Sequence, residues 1–208
     1  MLFRSLCTGE RIEHFMQYVS LDTGIPEHAE YIRRGLDYNR LNEYVNRFLT
    51  EISGRNSLTF IITMNNLSIL GLKRLLEQIL ILRRQHSTTY QRVWFDTPVL
   101  RKPEWQSIQL LPESYVDQLE YLWAWMIRQA ETTAEPFKGF KDYEIARLDR
   151  DIAWMRSGQQ LPAEYIQRNK ADFYRFFTEH DRRRGTNFLN TFPEMSDWWR
   201  ECEYWSRQ

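Results

Sequence analysis

Cysteine is nearly absent from this chain. Cys7 and Cys202, the only two in 208 residues, lie at opposite ends, which excludes a disulfide framework and a cluster ligated by this chain's cysteines alone, and leaves both as plain thiols. An excess of one charge is missing too. The 28 basic residues balance 28 acidic ones, so no global field draws the chain to nucleic acid or to an anionic membrane, and neither is expected as a partner. Long apolar runs are also lacking: the longest candidate, Leu67 to Leu82, is broken by Lys73, Arg74 and Glu77, against a transmembrane helix. Arg4, Glu10 and Arg11 punctuate the N-terminus before the apolar core of a secretory signal develops, so a cytoplasmic protein is expected. No Gly-rich phosphate loop follows a strand, and no GxSxG elbow or Cys/His nucleophile pattern occurs, which weakens a hydrolase or dehydrogenase reading. His14, His28, His86 and His180 lack the spacing of a zinc site, and no metal ligand is proposed.

Aromatic residues are plentiful at 15%, eight of them tryptophans, concentrated after Tyr90. Trp123, Trp125, Trp198, Trp199 and Trp205 have helical spacing and no matching basic groove, which predicts packing rather than base stacking. The run Asp181-Arg182-Arg183-Arg184 is expected at a helix C-terminus, facing its dipole.

The first half reads as β-α-β-α-β. Leu58 to Met64 is a nearly continuous apolar and β-branched run, as in a strand covered on both faces, and Gln91 to Phe95 is the next strand. Between the first two strands, Gly24 to His28 reads as a turn and Gly35-Leu36-Asp37 opens a helix. Its apolar face comprises Leu41, Tyr44, Val45, Phe48, Leu49 and Ile52, and Gly54 ends it. Ser68 is the expected N-cap of a second helix, with Leu72, Leu75, Leu76, Ile79 and Leu80 on its inner face. Crossovers long enough for helices favour parallel strands over hairpins. Ser107 to Leu111 is read as a further short strand. Beyond Pro112 the pattern is helical throughout, with segments near Ser114–Gln129, Tyr143–Arg156, Ala163–His180 and Glu194–Trp205. The expected organisation is a β/α region over 1–112 and a helical region over 113–208.

Three apolar runs each end in a polar cluster: Tyr18-Val19-Ser20-Leu21-Asp22-Thr23, Phe60-Ile61-Ile62-Thr63-Met64-Asn65-Asn66 and Val93-Trp94-Phe95-Asp96-Thr97. Parallel strands place all three clusters along one rim, where α/β folds bind ligands. Asp22 and Asp96 have an equally ordinary use in capping the turns that follow their strands, and Asn65-Asn66 suits the tight backbone of a strand exit.

The stretches Thr8-Gly9-Glu10-Arg11-Ile12, Val19-Ser20-Leu21-Asp22-Thr23-Gly24, Thr63-Met64-Asn65-Asn66-Leu67-Ser68 and Val93-Trp94-Phe95-Asp96-Thr97-Pro98 resemble the later half of radical SAM proteins with a twitch-type C-terminal region. Phe176 through Asp181 and Arg184 through Phe188, in the helical tail, resemble that group as well. The resemblance implies an α/β fold, the C-terminal part of a partial (β/α)6 barrel with three or four parallel strands, followed by an all-helical tail. It implies S-adenosylmethionine as cofactor, with Ser20 and Asp22 after the family's fourth strand, Thr63 and Asn65 after the fifth, and Asp96 after the sixth as its contacts. Ribose hydroxyls need an acceptor such as a carboxylate, and the methionine end needs complementary polar groups. The family holds a 4Fe-4S cluster on a CxxxCxxC loop, and this chain has no such loop. The expectation is therefore a truncated or split radical SAM enzyme, whose cluster comes from an N-terminal half carrying that loop and whose substrate is unidentified. The alternative is a non-catalytic binding or interaction protein derived from the same scaffold.

Overall fold

The computed structural model describes residues 12, 14–52 and 56–208. Cys7, the Thr8–Arg11 part of the N-terminal stretch, and Gly54 lie outside the described residues. Three strands, β1 (Met16–Ser20), β2 (Ser57–Ile61) and β3 (Val93–Asp96), form a parallel sheet in the order β1-β2-β3. The first crossover contains α1 (Pro26–Ile32) and α2 (Tyr38–Glu51), and the second contains α3 (Ile69–His86). Gly24 to His28, expected as a turn, instead leads into α1. Pro26 stands at the start of that helix, where its fixed φ fits and its missing N–H removes no bond. Asp37 opens α2 as expected, its carboxylate accepting the Arg40 backbone N–H at 2.9 Å.

Strand alternation divides the sheet into two unlike faces. Leu58, Phe60, Val93 and Phe95 point into the core, where α3 contributes Leu72, Leu75, Leu76, Ile79 and Leu80. The opposite face carries two rows in register, Tyr18–Thr59–Trp94 and Ser20–Ile61–Asp96. Tyr18 and Ser20 are exposed, and Ile61, Trp94 and Asp96 are half-buried. β1 is an edge strand. Phe15 and Leu21 bond to β2, so alternation turns the backbone groups of Met16, Tyr18 and Ser20 outward. Among the described residues, the Tyr18 carbonyl accepts only the Gln17 side-chain amide, at 2.7 Å.

Past β1 the chain runs against α3. The Gly24 N–H donates to the Gly71 carbonyl at 3.0 Å, and a Cβ on Gly71 would lie 1.8 Å from the Thr23 hydroxyl oxygen, so only glycine fits there.

The strand expected over Ser107–Leu111 is absent. Glu104–Gln106 and Ile108–Leu110 are two 3-10 turns, and Ser107 caps the second by accepting the Gln109 N–H at 3.3 Å. A local side-chain bond thus takes the place of a ladder bond. Asn66 ties this segment to the exit of β2, its N–H bonding to the Gln106 carbonyl and its side-chain amide to the Trp105 carbonyl.

The helices that follow are α4 (Glu113–Arg128), α5 (Asp142–Arg156), α6 (Ala163–Arg184), the single turn α7 (Phe188–Thr191) and α8 (Ser196–Ser206). The tryptophans serve packing: Trp198 is buried against Phe173, and Trp199 stacks on Phe188 with centroids 4.4 Å apart. α6 continues past His180 to Gly185, whose φ of 65° ends it in the left-handed conformation. Arg182, Arg183 and Arg184 occupy its last turn, the first two paired with Glu179. Tyr31 of α1 donates to Asp181 of α6 at 2.7 Å, and one hydrophobic cluster includes residues on both sides of position 112. Among the described residues, no helix is long and apolar enough to cross a membrane.

Candidate functional site

All three strands run in one direction, so Ser20, Asp22, Thr63, Asn65 and Asp96 share the C-terminal rim of the sheet. Their side chains do different things there. Asp22 is buried and fully used: one oxygen accepts the Thr63 N–H at 2.9 Å, and both oxygens lie about the Arg33 guanidinium, at 3.0 and 2.9 Å. It fastens the exit of β1 to the exit of β2 and presents no free oxygen to a ligand. Asn65 is likewise occupied. Its side-chain oxygen accepts the Leu67 and Ser68 N–H groups, and its amide donates to the Thr63 carbonyl, forming the turn that leads into α3. Ser68 stands at the N-cap position without capping the helix, because its hydroxyl is engaged with the Asn65 backbone.

The other three are available. Ser20 is exposed, Thr63 is half-buried, and neither hydroxyl has a protein partner among the described residues. Asp96 bonds through one oxygen to the Arg147 guanidinium at 2.8 Å and to the Thr97 N–H at 2.9 Å, while its second oxygen has no partner among the described residues. Because Ser20, Ile61 and Asp96 are register partners across three strands, the Ser20 hydroxyl and the Asp96 carboxylate stand about 10 Å apart on the open face, two strand spacings. Tyr18 and Trp94 flank Thr59 in the row behind. The result is a shallow surface with an acceptor at one end, a hydroxyl at the other and apolar side chains between.

Helix α5 supplies the residues that sequence reasoning missed. Arg147 steers Asp96, and the fully buried Asp151 accepts the Thr97 hydroxyl at 2.8 Å. Burial pushes the Asp151 carboxyl above its ordinary range, against the opposing pull of Thr97 and Arg150. Arg33, from the segment after α1, was missed in the same way. No local pattern marks these side chains, since each meets the rim only through tertiary packing.

His28 and His180 serve packing. His28 is buried against Phe192 with ring centroids 4.3 Å apart, and burial holds its pKa below the ordinary value. His180 packs on Tyr31 at 4.5 Å, and burial lowers its pKa as well. Cys202 is a buried free thiol whose pKa burial pushes up. Among the described residues, no three His, Cys, Asp or Glu side chains converge on a point that could hold a metal ion. No family model matches the chain, and comparison with curated proteins and with solved structures finds no match either.

Proposed function

We propose that this chain supplies the S-adenosylmethionine-holding rim of a radical SAM barrel, and that it is not competent for catalysis without a portion bearing the CxxxCxxC loop. The observation that carries this reading is the Ser20–Ile61–Asp96 row on the open face, with its free hydroxyl and half-free carboxylate. The donor set suits the cofactor. The unpaired Asp96 oxygen can accept ribose hydroxyls, the Ser20 and Thr63 hydroxyls can bond the polar methionine end, and Ile61 and Trp94 offer apolar surface to the adenine.

Asp22 and Asn65 have a positioning part in this reading. Asp22 holds Thr63 by its backbone, and Asn65 fixes the turn immediately after it, so the Thr63 hydroxyl is presented from a rigid loop. Arg147 plays the same part for Asp96, binding one oxygen and leaving the other without a partner among the described residues. The cluster and the bound sulfonium supply the electron transfer and bond cleavage that begin radical chemistry; this chain's residues orient the cofactor. The outward backbone groups of β1 support the reading further, because an edge that pairs with no other strand among the described residues offers a ladder to a neighbouring strand.

Anaerobic reconstitution with iron and sulfide tests the proposal, using the chain alone and the chain combined with the upstream-encoded portion carrying CxxxCxxC. Formation of 5′-deoxyadenosine is expected only in the combination, and its loss is expected in Asp96→Asn. A stoichiometric cluster that cleaves S-adenosylmethionine on the isolated chain would contradict it. So would an upstream sequence without the cysteine loop, which favours the non-catalytic binding protein.

A further inference from the structure

A pocket of about 680 Å³ opens beside the C-terminal end of β3, formed by Pro98, Val99 and Arg101 on one side and by Arg150, Asp151 and Trp154 of α5 on the other. Its size is that of a small-molecule site. The Arg101 guanidinium lies 5.5 Å from the centroid of the Trp154 ring and has no acidic partner among the described residues. The Arg150 side chain is 60% exposed, and among the described residues its one ion pair is with Asp151, at 3.1 Å. Trp154 contributes ring surface only, its indole N–H being closed off from solvent. Two guanidinium groups therefore line a pocket with one buried carboxyl, which Arg150 meets through one oxygen and the Thr97 hydroxyl through the other. The balance is cationic, and donor capacity is left over.

We propose that this pocket binds the phosphate group of a small phosphorylated organic compound, with Arg101 and Arg150 holding the phosphate oxygens beside the Trp154 ring. Guanidinium forks arriving from two different segments match a tetrahedral group, whose acceptor oxygens point in several directions, better than a planar carboxylate with two. A free phosphate would leave much of the pocket unfilled, which points to an attached organic part. The site stands on residues separate from Ser20, Thr63 and Asp96, so it holds whether or not the rim takes S-adenosylmethionine.

Nitrogen-15 spectra of the whole chain test this, with the Trp154 indole signal assigned by its loss in Trp154→Phe. The signal is expected to shift saturably with inorganic phosphate, and adenosine monophosphate is expected to bind more tightly than inorganic phosphate. Arg101→Gln and Arg150→Gln, both at exposed side chains, should each weaken binding by about tenfold or more, the loss of a charge-assisted bond, while the other indole signals stay in place. The assignment is overturned if neither phosphate shifts the Trp154 signal, if acetate binds as tightly, or if both arginine variants bind like the unaltered chain. Equal or weaker binding of adenosine monophosphate overturns the organic part of the ligand.

Discussion

Replacing Arg83 with methionine should be among the most damaging single changes in this protein. The Arg83 and Glu144 side chains are both 0% exposed, and the guanidinium meets the carboxylate through two bonds, at 2.9 and 2.6 Å. The same guanidinium donates to the Val93 carbonyl at 2.9 Å and the Gly139 carbonyl at 2.8 Å, joining α3 to β3 and to the segment before α5. Glu144 in turn accepts the Lys141 N–H at 3.0 Å at the start of α5. Arg83→Met leaves a buried carboxylate supported by little more than that one N–H. Breaking such a pair from one side costs about 3–5 kcal/mol, a large part of a typical total of about 5–15 kcal/mol. The double variant Arg83→Met/Glu144→Leu removes both charges and leaves mainly the Gly139 carbonyl and the Lys141 N–H short of a partner, about 1–3 kcal/mol each, while the Val93 carbonyl keeps the Gln91 side-chain amide at 3.1 Å. Urea unfolding followed by circular dichroism should show the single variant's midpoint lowered by about 1–2 M. The double variant should be less damaged than the sum of the two single changes. A single-variant loss below about 1 kcal/mol, or strict additivity, would refute the reasoning.

Three further outcomes are expected. Gly71→Ala should lower stability by about 1–3 kcal/mol in the same unfolding assay, because its Cβ would overlap the Thr23 hydroxyl, and a neutral result would mean the approach of β1's exit to α3 is looser than described. Stability should fall on acidification below about pH 6.5: the unfolded imidazole of His28 titrates near 6.5, burial holds the folded one lower, and the unfolded state therefore gains the protons. The contribution is complete above that pH and is lost as pH falls toward the folded pKa, so His28→Gln should flatten the slope between about pH 5 and 7; an unchanged slope would exclude this origin. In a Cys7→Ser background, Cys202 should resist a thiol reagent at neutral pH until urea unfolds the chain, and fast modification of the folded protein would contradict its burial.

The strands were legible because β2 and β3 are apolar, β-branched or aromatic runs bounded by polar residues, and α2 and α3 because their apolar faces repeat at helical spacing. Pro26 misled, since a Gly-Ile-Pro sequence fits a turn as well as a helix start, and packing of Tyr31 against Phe188 of α7 and Asp181 of α6 decides for the helix. Ser107–Leu111 misled because alternating apolar residues suit a strand or a buried pair of 3-10 turns, and Asn66 and the Ser107 cap choose the latter. At the rim, residue types were readable and their engagements were not. Nothing local shows that Asp22 is consumed by Thr63 and Arg33 while Asp96 keeps an oxygen without a partner among the described residues. The partners that decide it, such as Thr63 for Asp22 and Arg147 for Asp96, are dozens of residues away in the chain.

Titration of the isotope-labelled chain with S-adenosylmethionine tests the central claim most directly. Saturable shifts are expected at the backbone amides of Ser20, Thr63 and Asp96, with affinity weakened about tenfold or more in Asp96→Asn, the loss of one charge-assisted acceptor. No saturable shift at these three positions, or undiminished binding by Asp96→Asn, would contradict the account.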